Sequence, residues 1–223
     1  MPDVTEVTDP RPDRPFAGFD VVVVATSLGG REALVELLEP LPPGFPAPVV
    51  VVQHVLAESP GHLPELLAPR VRLPVKHAEA GEPLRAAAIY VAPPSQHLLV
   101  GPDHRCLLTD EPPVNFSRPS ADALFISAAA VFGARTLGVI LTGRLSDGTV
   151  GAAAIRRAGG VVLAQDPTTC RAPQMPQAAI DAGVVDLVLS TAELAAAVVT
   201  LVTVVGGRDR LGNGSELDSW IVG

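Results

Sequence analysis

The sequence has few cysteines and few aromatic residues, and each scarcity excludes a class of protein. Two cysteines, Cys106 and Cys170, are too few for a disulfide-stabilised scaffold and too far apart for a two-cysteine metal site. They favour a reducing, cytoplasmic compartment. Because aromatic residues make up only 4% of the chain, Val, Ala and Leu must build the core.

Charge and hydrophobicity exclude two further classes. The chain has 16 Lys and Arg against 24 Asp and Glu, a formal net charge of −8, and its basic runs are no longer than pairs such as Arg156-Arg157. We therefore expect no binding to nucleic acid, which depends on clusters of basic residues. The longest uncharged apolar stretch, Leu194 to Val205, is well short of the roughly 20 residues that span a bilayer, so we expect no membrane insertion.

What the chain does have is a regular alternation of apolar runs and helical patterns. Apolar, β-rich runs predict strands at Val21–Ala25, Pro48–Val52, Ala87–Val91, Thr136–Leu141, Gly160–Ala164 and Val184–Leu189. Apolar residues at helical spacing predict helices at Glu32–Leu38, Ser120–Phe132, Asp147–Arg157, Pro176–Asp181 and Ala192–Val202. This alternation predicts parallel strand pairing with right-handed crossovers.

One segment breaks the alternation. His97–Val100 and Cys106–Thr109 flank the turn sequence GPDH and predict an antiparallel hairpin. The chain as a whole predicts an α/β domain: a doubly wound, mostly parallel sheet with helices on both faces and one antiparallel β-hairpin. We expect this domain over residues 18–205, between an acidic, Pro-rich tail at 1–17 and a polar tail at 206–223.

Candidate catalytic residues follow three of the predicted strands, at the end of an open α/β sheet where ligands bind. Ser27 follows the first strand on a tight Gly29-Gly30 turn, His54 follows the second strand, and Asp147 comes shortly after the strand that ends at Leu141. A serine nucleophile needs a base to take its proton, and the base needs a third group to orient it. These three residues supply those parts.

Each of the three also has a simpler structural explanation, which the sequence leaves open. Ser27 or Thr26 would serve as the N-cap of the following helix, and Asp147 as the N-cap of its own predicted helix. His54 would bond a backbone carbonyl at the end of its strand.

Four other histidines are weaker candidates. His97 follows another strand end and either lines the cleft or is an ordinary loop histidine. His62, His77 and His104 lie in polar loops without partners at metal-ligand spacing, so we expect them at the surface.

Several ordered segments of the chain are similar to one protein family. They are VVVVATSLGG, VVVVQHV, IYVAPPSQHLLV, NFSRPSADALFISAAAVFG, VILTGRLSDGTVGAAAIRRAGG and AQDPTTCRAPQMPQAAIDAG, spread over about residues 20 to 200. Together they resemble the catalytic domain of the chemotaxis protein-glutamate methylesterases, the CheB family. The resemblance implies a doubly wound α/β fold, in agreement with the periodicity, and places the family's catalytic serine, histidine and aspartate at Ser27, His54 and Asp147.

The resemblance also implies an activity and its partners. A protein of this family hydrolyses glutamate γ-methyl esters on the cytoplasmic helices of methylated chemoreceptors, releases methanol, and also deamidates particular glutamines. By similarity one oxyanion donor comes from the loop at Arg144; by position others come from the turn at Leu28 and Gly29, and His97 is a further candidate for the cleft. The resemblance implies no metal or organic cofactor and a cytoplasmic location. The usual family members have an N-terminal receiver domain, and we expect no receiver domain in this sequence. Two alternatives follow: an unregulated enzyme, or regulation in trans by a separate receiver protein.

Two positions depart from the family pattern and keep alternatives open. Leu28 stands where the family usually has threonine, and Leu145 stands where it usually has glycine. If that backbone has a positive φ, Leu145 strains the loop. The alternatives are a non-catalytic binding module that keeps the cleft, and an esterase or amidase that acts on a different substrate.

Overall fold

A sheet of parallel strands forms the centre of the computed structural model, which describes residues 18–55 and 59–204. The strands are β1 (Val21–Thr26), β2 (Val49–Gln53), β3 (Val75–His77), β4 (Ile89–Val91), β5 (His97–Val100), β6 (Cys106–Thr109), β7 (Thr136–Ile140), β8 (Val161–Gln165) and β9 (Leu187–Leu189). Seven of them lie in the order β3-β4-β2-β1-β7-β8-β9, while β5 and β6 pair separately as an antiparallel hairpin. The predicted parallel sheet and the predicted hairpin are both confirmed.

Helices cover both faces of the sheet. They are α1 (Gly30–Leu38), α2 (Leu63–Leu67), α3 (Ala121–Phe132), α4 (Thr149–Arg157), α5 (Gln174–Asp181) and α6 (Thr191–Thr203). One buried apolar cluster joins α1 and α6 to the sheet through residues such as Leu34 and Leu201. A second cluster joins α3, α4, α5 and the hairpin to the opposite face through residues such as Phe125 and Ile155. The doubly wound architecture therefore follows from strands that are apolar on both sides.

The topology places three strand ends next to one another. Strand β1 lies between β2 and β7, with Thr26 beside Gln53 and Ala25 beside Ile140. The helix that follows β1 packs on one face, and the helix that follows β7 packs on the other. Such a switch point opens a crevice at the carboxyl ends of the strands, where ligands bind in this class of fold.

Two short elements were missed, and one predicted strand is shorter than expected. Helix α2 has only five residues, and β3 is a half-buried strand that contains Lys76 and His77, so neither carries a long apolar signal. The strand predicted from Val184 begins only at Leu187, because Val184 and Val185 pack against the second apolar cluster before the chain joins the sheet.

Part of the predicted domain organisation lies outside the described residues. The two predicted tails, at 1–17 and 206–223, and the predicted domain end at residue 205 all fall there. Within 18–55 and 59–204, none of the helices has the length and apolar character that crossing a bilayer requires.

Candidate active site

The turn after β1 places Ser27 between the loop after β7 and the pair Gly29-Gly30, which begins the next helix. The Ser27 N–H donates to the carbonyl of Thr142 at 2.9 Å, which fixes the turn against that loop. Gly29 has a φ of 83° and is the N-cap of α1, which has no side-chain cap hydrogen bond. The alternative in which Ser27 or Thr26 caps this helix is therefore wrong. The Thr26 hydroxyl instead donates to the Thr142 carbonyl at 3.0 Å.

His54 lies at the end of β2 and pairs with Asp147. Its backbone N–H donates to the Thr26 carbonyl at 3.0 Å, and its Nε2 lies 2.6 Å from Asp147 Oδ2. The alternative of a simple bond to a backbone carbonyl is wrong for this imidazole. Because a carboxylate only accepts hydrogen bonds, Nε2 carries the proton and the lone pair of neutral His54 lies on Nδ1. That nitrogen is the one available to act as a base.

The Asp147 carboxylate is only 2% exposed and is held by the first turn of another helix. It accepts from the Ser120 hydroxyl at 2.9 Å, from the Ala121 N–H at 2.7 Å and from the Asp122 N–H at 3.0 Å. The N-cap of α4 is Gly148, so the alternative in which Asp147 caps its own helix is wrong. Asp147 instead satisfies the N-terminus of α3, a site that favours negative charge.

Asp122 makes the reciprocal contact. Its carboxylate accepts from the N–H groups of Gly148 at 3.0 Å and Gly151 at 2.7 Å, at the start of α4. The residue before the N-cap of α4 thus supplies a carboxylate to the first turn of α3, and α3 supplies one to the first turn of α4, so that direct hydrogen bonds fix Asp147 relative to α3.

The two buried carboxyls have pKa values shifted in opposite directions. Burial by itself raises the pKa of Asp147, but the hydrogen bonds from His54, Ala121 and Asp122 outweigh it and hold the pKa below its ordinary value. Burial raises the pKa of Asp122, the charge of Asp147 raises it further, and the N–H of Gly151 offsets only part of the rise. Asp147 is therefore the carboxyl that stays ionised most readily, as an orienting group for an imidazole must.

Ser27 and His54 line one cleft of about 720 Å³. Leu28 and Gly29 line it as well, on the same wall as the serine. Phe116, which is 97% exposed, contributes to the lining from the segment that precedes α3. The cleft is open to solvent on this side, so it is suited to a residue presented by a large partner.

The loop after β7 passes directly beside Ser27. A Cβ added to Gly143 would lie 2.9 Å from the Ser27 Cβ, so only glycine allows this approach. Leu28 and Arg144 directly follow Ser27 and Gly143 in the chain, and within the described residues their backbone N–H groups donate to no acceptor. Unsatisfied N–H groups beside a serine are suited to binding an oxyanion.

Leu145 adopts the conformation that the family's glycine suggested. Its φ is 65°, in the left-handed region that disfavours a branched side chain, and the side chain is 66% exposed. The backbone at Leu145 therefore has the positive φ on which the expected strain of this loop depended.

His97 does not line the cleft, so that prediction is wrong. It is 2% exposed, its Nδ1 accepts from the Ser120 N–H at 3.2 Å, and its Nε2 donates to the Pro112 carbonyl at 3.2 Å. Both ring nitrogens of this buried side chain are therefore engaged, and both partners lie on the segment that leads from β6 into α3. His97 contacts a residue that holds Asp147 and does not contact the cleft itself.

Sequence reasoning missed three residues that shape the site. The Ser120 hydroxyl donates to Asp147, and the Asp122 carboxylate accepts from the start of α4. Gln53 Nε2 donates to the carbonyls of Ser27 at 2.7 Å and His54 at 3.3 Å. A serine just before an apolar helical pattern is a capping signal, so Ser120 was accessible as a cap but not as a partner of Asp147. Gln53 and Asp122 carry no comparable local signal.

The described residues contain no group of three or more His, Cys, Asp or Glu side chains placed to hold a metal ion.

Comparison with known proteins gives a consistent family. The family model for the CheB methylesterase matches residues 22–198. A protein-glutamate methylesterase/protein-glutamine glutaminase of Anaeromyxobacter dehalogenans is 45% identical over 178 residues, which are 80% of this chain and 52% of that protein. A putative enzyme of the same name in Leptospira interrogans is 40% identical over 177 residues, 79% of this chain and 92% of that protein.

A solved structure is similar as well. The crystal structure of the Thermotoga maritima CheB methylesterase catalytic domain superposes with a TM-score of 0.80 at 35% identity, and covers 82% of this chain and 99% of that one. The chain spans about half the length of several curated relatives that it matches, including those in Moorella thermoacetica at 46% and Anaeromyxobacter dehalogenans at 52%.

Proposed function

The chain belongs to the CheB methylesterase family, and from that premise we propose that it is a serine ester hydrolase that cleaves glutamate γ-methyl esters on chemoreceptor helices. The observation that carries the proposal is the 2.6 Å pair between His54 Nε2 and Asp147 Oδ2, which opens onto the same cleft as Ser27. In the proposed roles Ser27 is the nucleophile, His54 the base and Asp147 the orienting group.

The first half-reaction transfers the glutamyl group to the enzyme. Ser27 Oγ attacks the ester carbonyl while His54 Nδ1 takes the hydroxyl proton, and Asp147 stabilises the resulting imidazolium through Nε2. The N–H groups of Leu28 and Arg144 bind the oxyanion of the tetrahedral intermediate. The C–O bond to the methoxide then breaks, and His54 returns its proton to form methanol.

The second half-reaction restores the serine. A water molecule gives a proton to His54 Nδ1 and attacks the acyl-enzyme, and the ester bond to Ser27 Oγ breaks as that proton is returned to it. The products are the glutamate carboxylate and free Ser27. Deamidation of a glutamine follows the same steps with ammonia as the leaving group, which agrees with the glutaminase activity in the names of the relatives.

The proposal includes partners and location. The open cleft and the names of the relatives support glutamate methyl esters of a protein as the substrate. Membership of the CheB family supports methylated chemoreceptors as that protein. We place the reaction in the cytoplasm and propose a separate receiver protein as its regulator.

The test is methanol release from methylated receptor membranes. The purified chain is compared with Ser27→Ala, and an active family methylesterase is the positive control. We expect Ser27→Ala to lower the rate by about 10⁴-fold or more, because loss of the nucleophile leaves only oxyanion binding and positioning. Undiminished release by Ser27→Ala would refute the assigned nucleophile.

Because of Leu28 and Leu145, a non-catalytic binding module is the second candidate function. Leu28 is 38% exposed in the cleft, and Leu145 holds the oxyanion loop in a strained conformation. If the wild-type chain releases no methanol while the control is active, and still retains receptor peptides on a column, the binding module replaces the enzyme.

A further inference from the structure

Four arginines surround the turn that carries Ser27. Arg31 and Arg118 line the cleft itself. Arg171 packs against the turn, because a Cβ added to Gly29 would lie 2.6 Å from the Arg171 Cβ. Arg144 follows Gly143, the residue that approaches the Ser27 side chain.

These arginines differ in what they contact from five of the other eight basic residues in the described part of the chain. The five form ion pairs with carboxylates: Arg70 with Glu39, Lys76 with Glu79 and Glu82, Arg105 with Asp103, Arg135 with Asp20, and Arg156 with Asp186. The other three, Arg72, Arg85 and Arg157, have no such pair among the described residues. Within the described residues Arg31, Arg144 and Arg171 have no carboxylate partner, and all three are exposed. Arg118 donates to the backbone carbonyls of Asp110 and Glu111.

The surplus of positive charge lies on a chain that is acidic overall. The formal net charge is −8, yet the described cleft lining contains Arg31 and Arg118 against one carboxylate, Glu32. Arg171 lines a neighbouring pocket together with Glu32 and Glu36. Unpaired guanidinium groups at the mouth of a cleft attract carboxylates and bind them through forked hydrogen bonds. Such a local charge, opposite in sign to the rest of the molecule, steers an acidic partner to this surface.

We propose that Arg31, Arg144 and Arg171 form a cationic rim that binds carboxylates on either side of the reacting residue, so that the enzyme selects acidic segments of its substrate. This inference rests on the proposed function and adds a basis for substrate choice that the Ser27, His54 and Asp147 set does not contain. The guanidinium groups of the rim act on capture of the substrate, whereas the backbone N–H of Arg144 has its separate role at the oxyanion.

The test uses two synthetic peptides that each carry one γ-methyl glutamate. In one peptide the flanking residues are glutamates, and in the other they are glutamines, so only the flanking charge differs. We expect kcat/KM for the acidic peptide to exceed that for the neutral one by about tenfold at low salt. The ratio should fall towards one as ionic strength rises, because exposed charges are screened beyond about 10 Å at 0.1 M.

Variants of the rim supply the decisive comparison. Arg31→Gln combined with Arg171→Gln should reduce the ratio between the two peptides by about fivefold or more. The control is Arg72→Gln, which removes one positive charge from an exposed arginine before β3, the edge strand that lies three strands from β1. This control should keep the wild-type ratio. The single variants Arg31→Gln and Arg171→Gln match it in charge, and each should lower the ratio further than Arg72→Gln does.

The possible outcomes distinguish a failure of the cationic rim from a failure of the proposed function. A wild-type ratio near one, or a double variant whose ratio matches that of Arg72→Gln, overturns the cationic rim. Hydrolysis of both peptides that persists in Ser27→Ala, or no hydrolysis of either peptide, counts against the proposed function instead. Circular dichroism of each variant verifies that a changed ratio comes from folded protein.

Discussion

At the scale of single residues, Leu145 has an unfavourable conformation without burial to offset it. Its φ of 65° costs an L-residue about 1–2 kcal/mol, and its side chain is 66% exposed. The chain must turn here because Gly143 is packed against Ser27 while Asp147 is held by the first turn of α3. The strain therefore comes from two fixed neighbours of Leu145.

Replacing Leu145 with glycine should stabilise the protein. Leu145→Gly relieves the left-handed strain and loses little buried surface, so we expect a gain of about 0.5–1 kcal/mol in the free energy of unfolding. In a domain of this size that gain raises the Tm by roughly 1–4 °C, measured by thermal unfolding. Leu107→Gly is the control, because it places glycine at an exposed strand position and should lower the Tm. A similar fall for both variants would contradict the strain at Leu145.

At the scale of elements, the segment between β6 and α3 forms one wall of the cleft and is attached at both ends to the same side chain. His97 on β5 donates to the Pro112 carbonyl and accepts from the Ser120 N–H. Phe116 and Arg118, between those two points, line the cleft. His97 is thus a positioning residue, which fixes the cleft wall and the turn of α3 that holds Asp147.

Substitutions at His97 should separate the two hydrogen bonds that it makes. His97→Ala removes both and should lower kcat by about 10-fold, because the donors to Asp147 are no longer fixed. His97→Asn keeps an acceptor near the position of Nδ1, so we expect most of kcat to return while KM stays raised by the loosened wall. The measurement is steady-state kinetics on a methylated substrate, corrected for the folded fraction. Equal kcat for both variants and the wild type would show that His97 only stabilises the fold.

At the scale of the whole molecule, two buried carboxyls make opposite contributions to the pH dependence of stability. The pKa of Asp147 is lowered by folding, so its contribution is present above the unfolded pKa, near 3.9, and is lost as the pH falls through the folded value. The pKa of Asp122 is raised by folding, so its contribution is present at low pH and is lost as the pH rises through the folded value.

Urea unfolding between about pH 3 and pH 7 should distinguish the contributions of the two carboxyls to stability, because this range includes the ordinary pKa of Asp. Asp147→Asn should make the loss of stability below about pH 4 shallower, because the group with the lowered pKa is gone. Asp122→Asn should make the same loss steeper, since it removes the carboxyl that favours folding at low pH. Parallel curves for the two variants would show that the carboxyls do not have the opposed shifts.

The architecture and the position of most site residues were accessible from the sequence alone. Apolar runs such as Val21–Ala25 can only be buried on both faces, which requires parallel strands covered by helices. Parallel pairing then brings all carboxyl ends to one edge, so Ser27 and His54, each directly after a strand, had to lie near each other. These are consequences of local periodicity, which a single sequence records.

The tertiary structure alone decided which partner each polar side chain takes. Asp147 follows the pattern of an N-cap for α4, yet its carboxylate turns to the first turn of α3, 26 residues away for Ala121, and to His54, 93 residues away. His97 follows a strand end like the catalytic candidates, but its strand belongs to the separate hairpin and points it into the core. Hydrogen-bond partners so distant in the chain are chosen by the packing of α3 against α4, which leaves no periodic signal in the sequence.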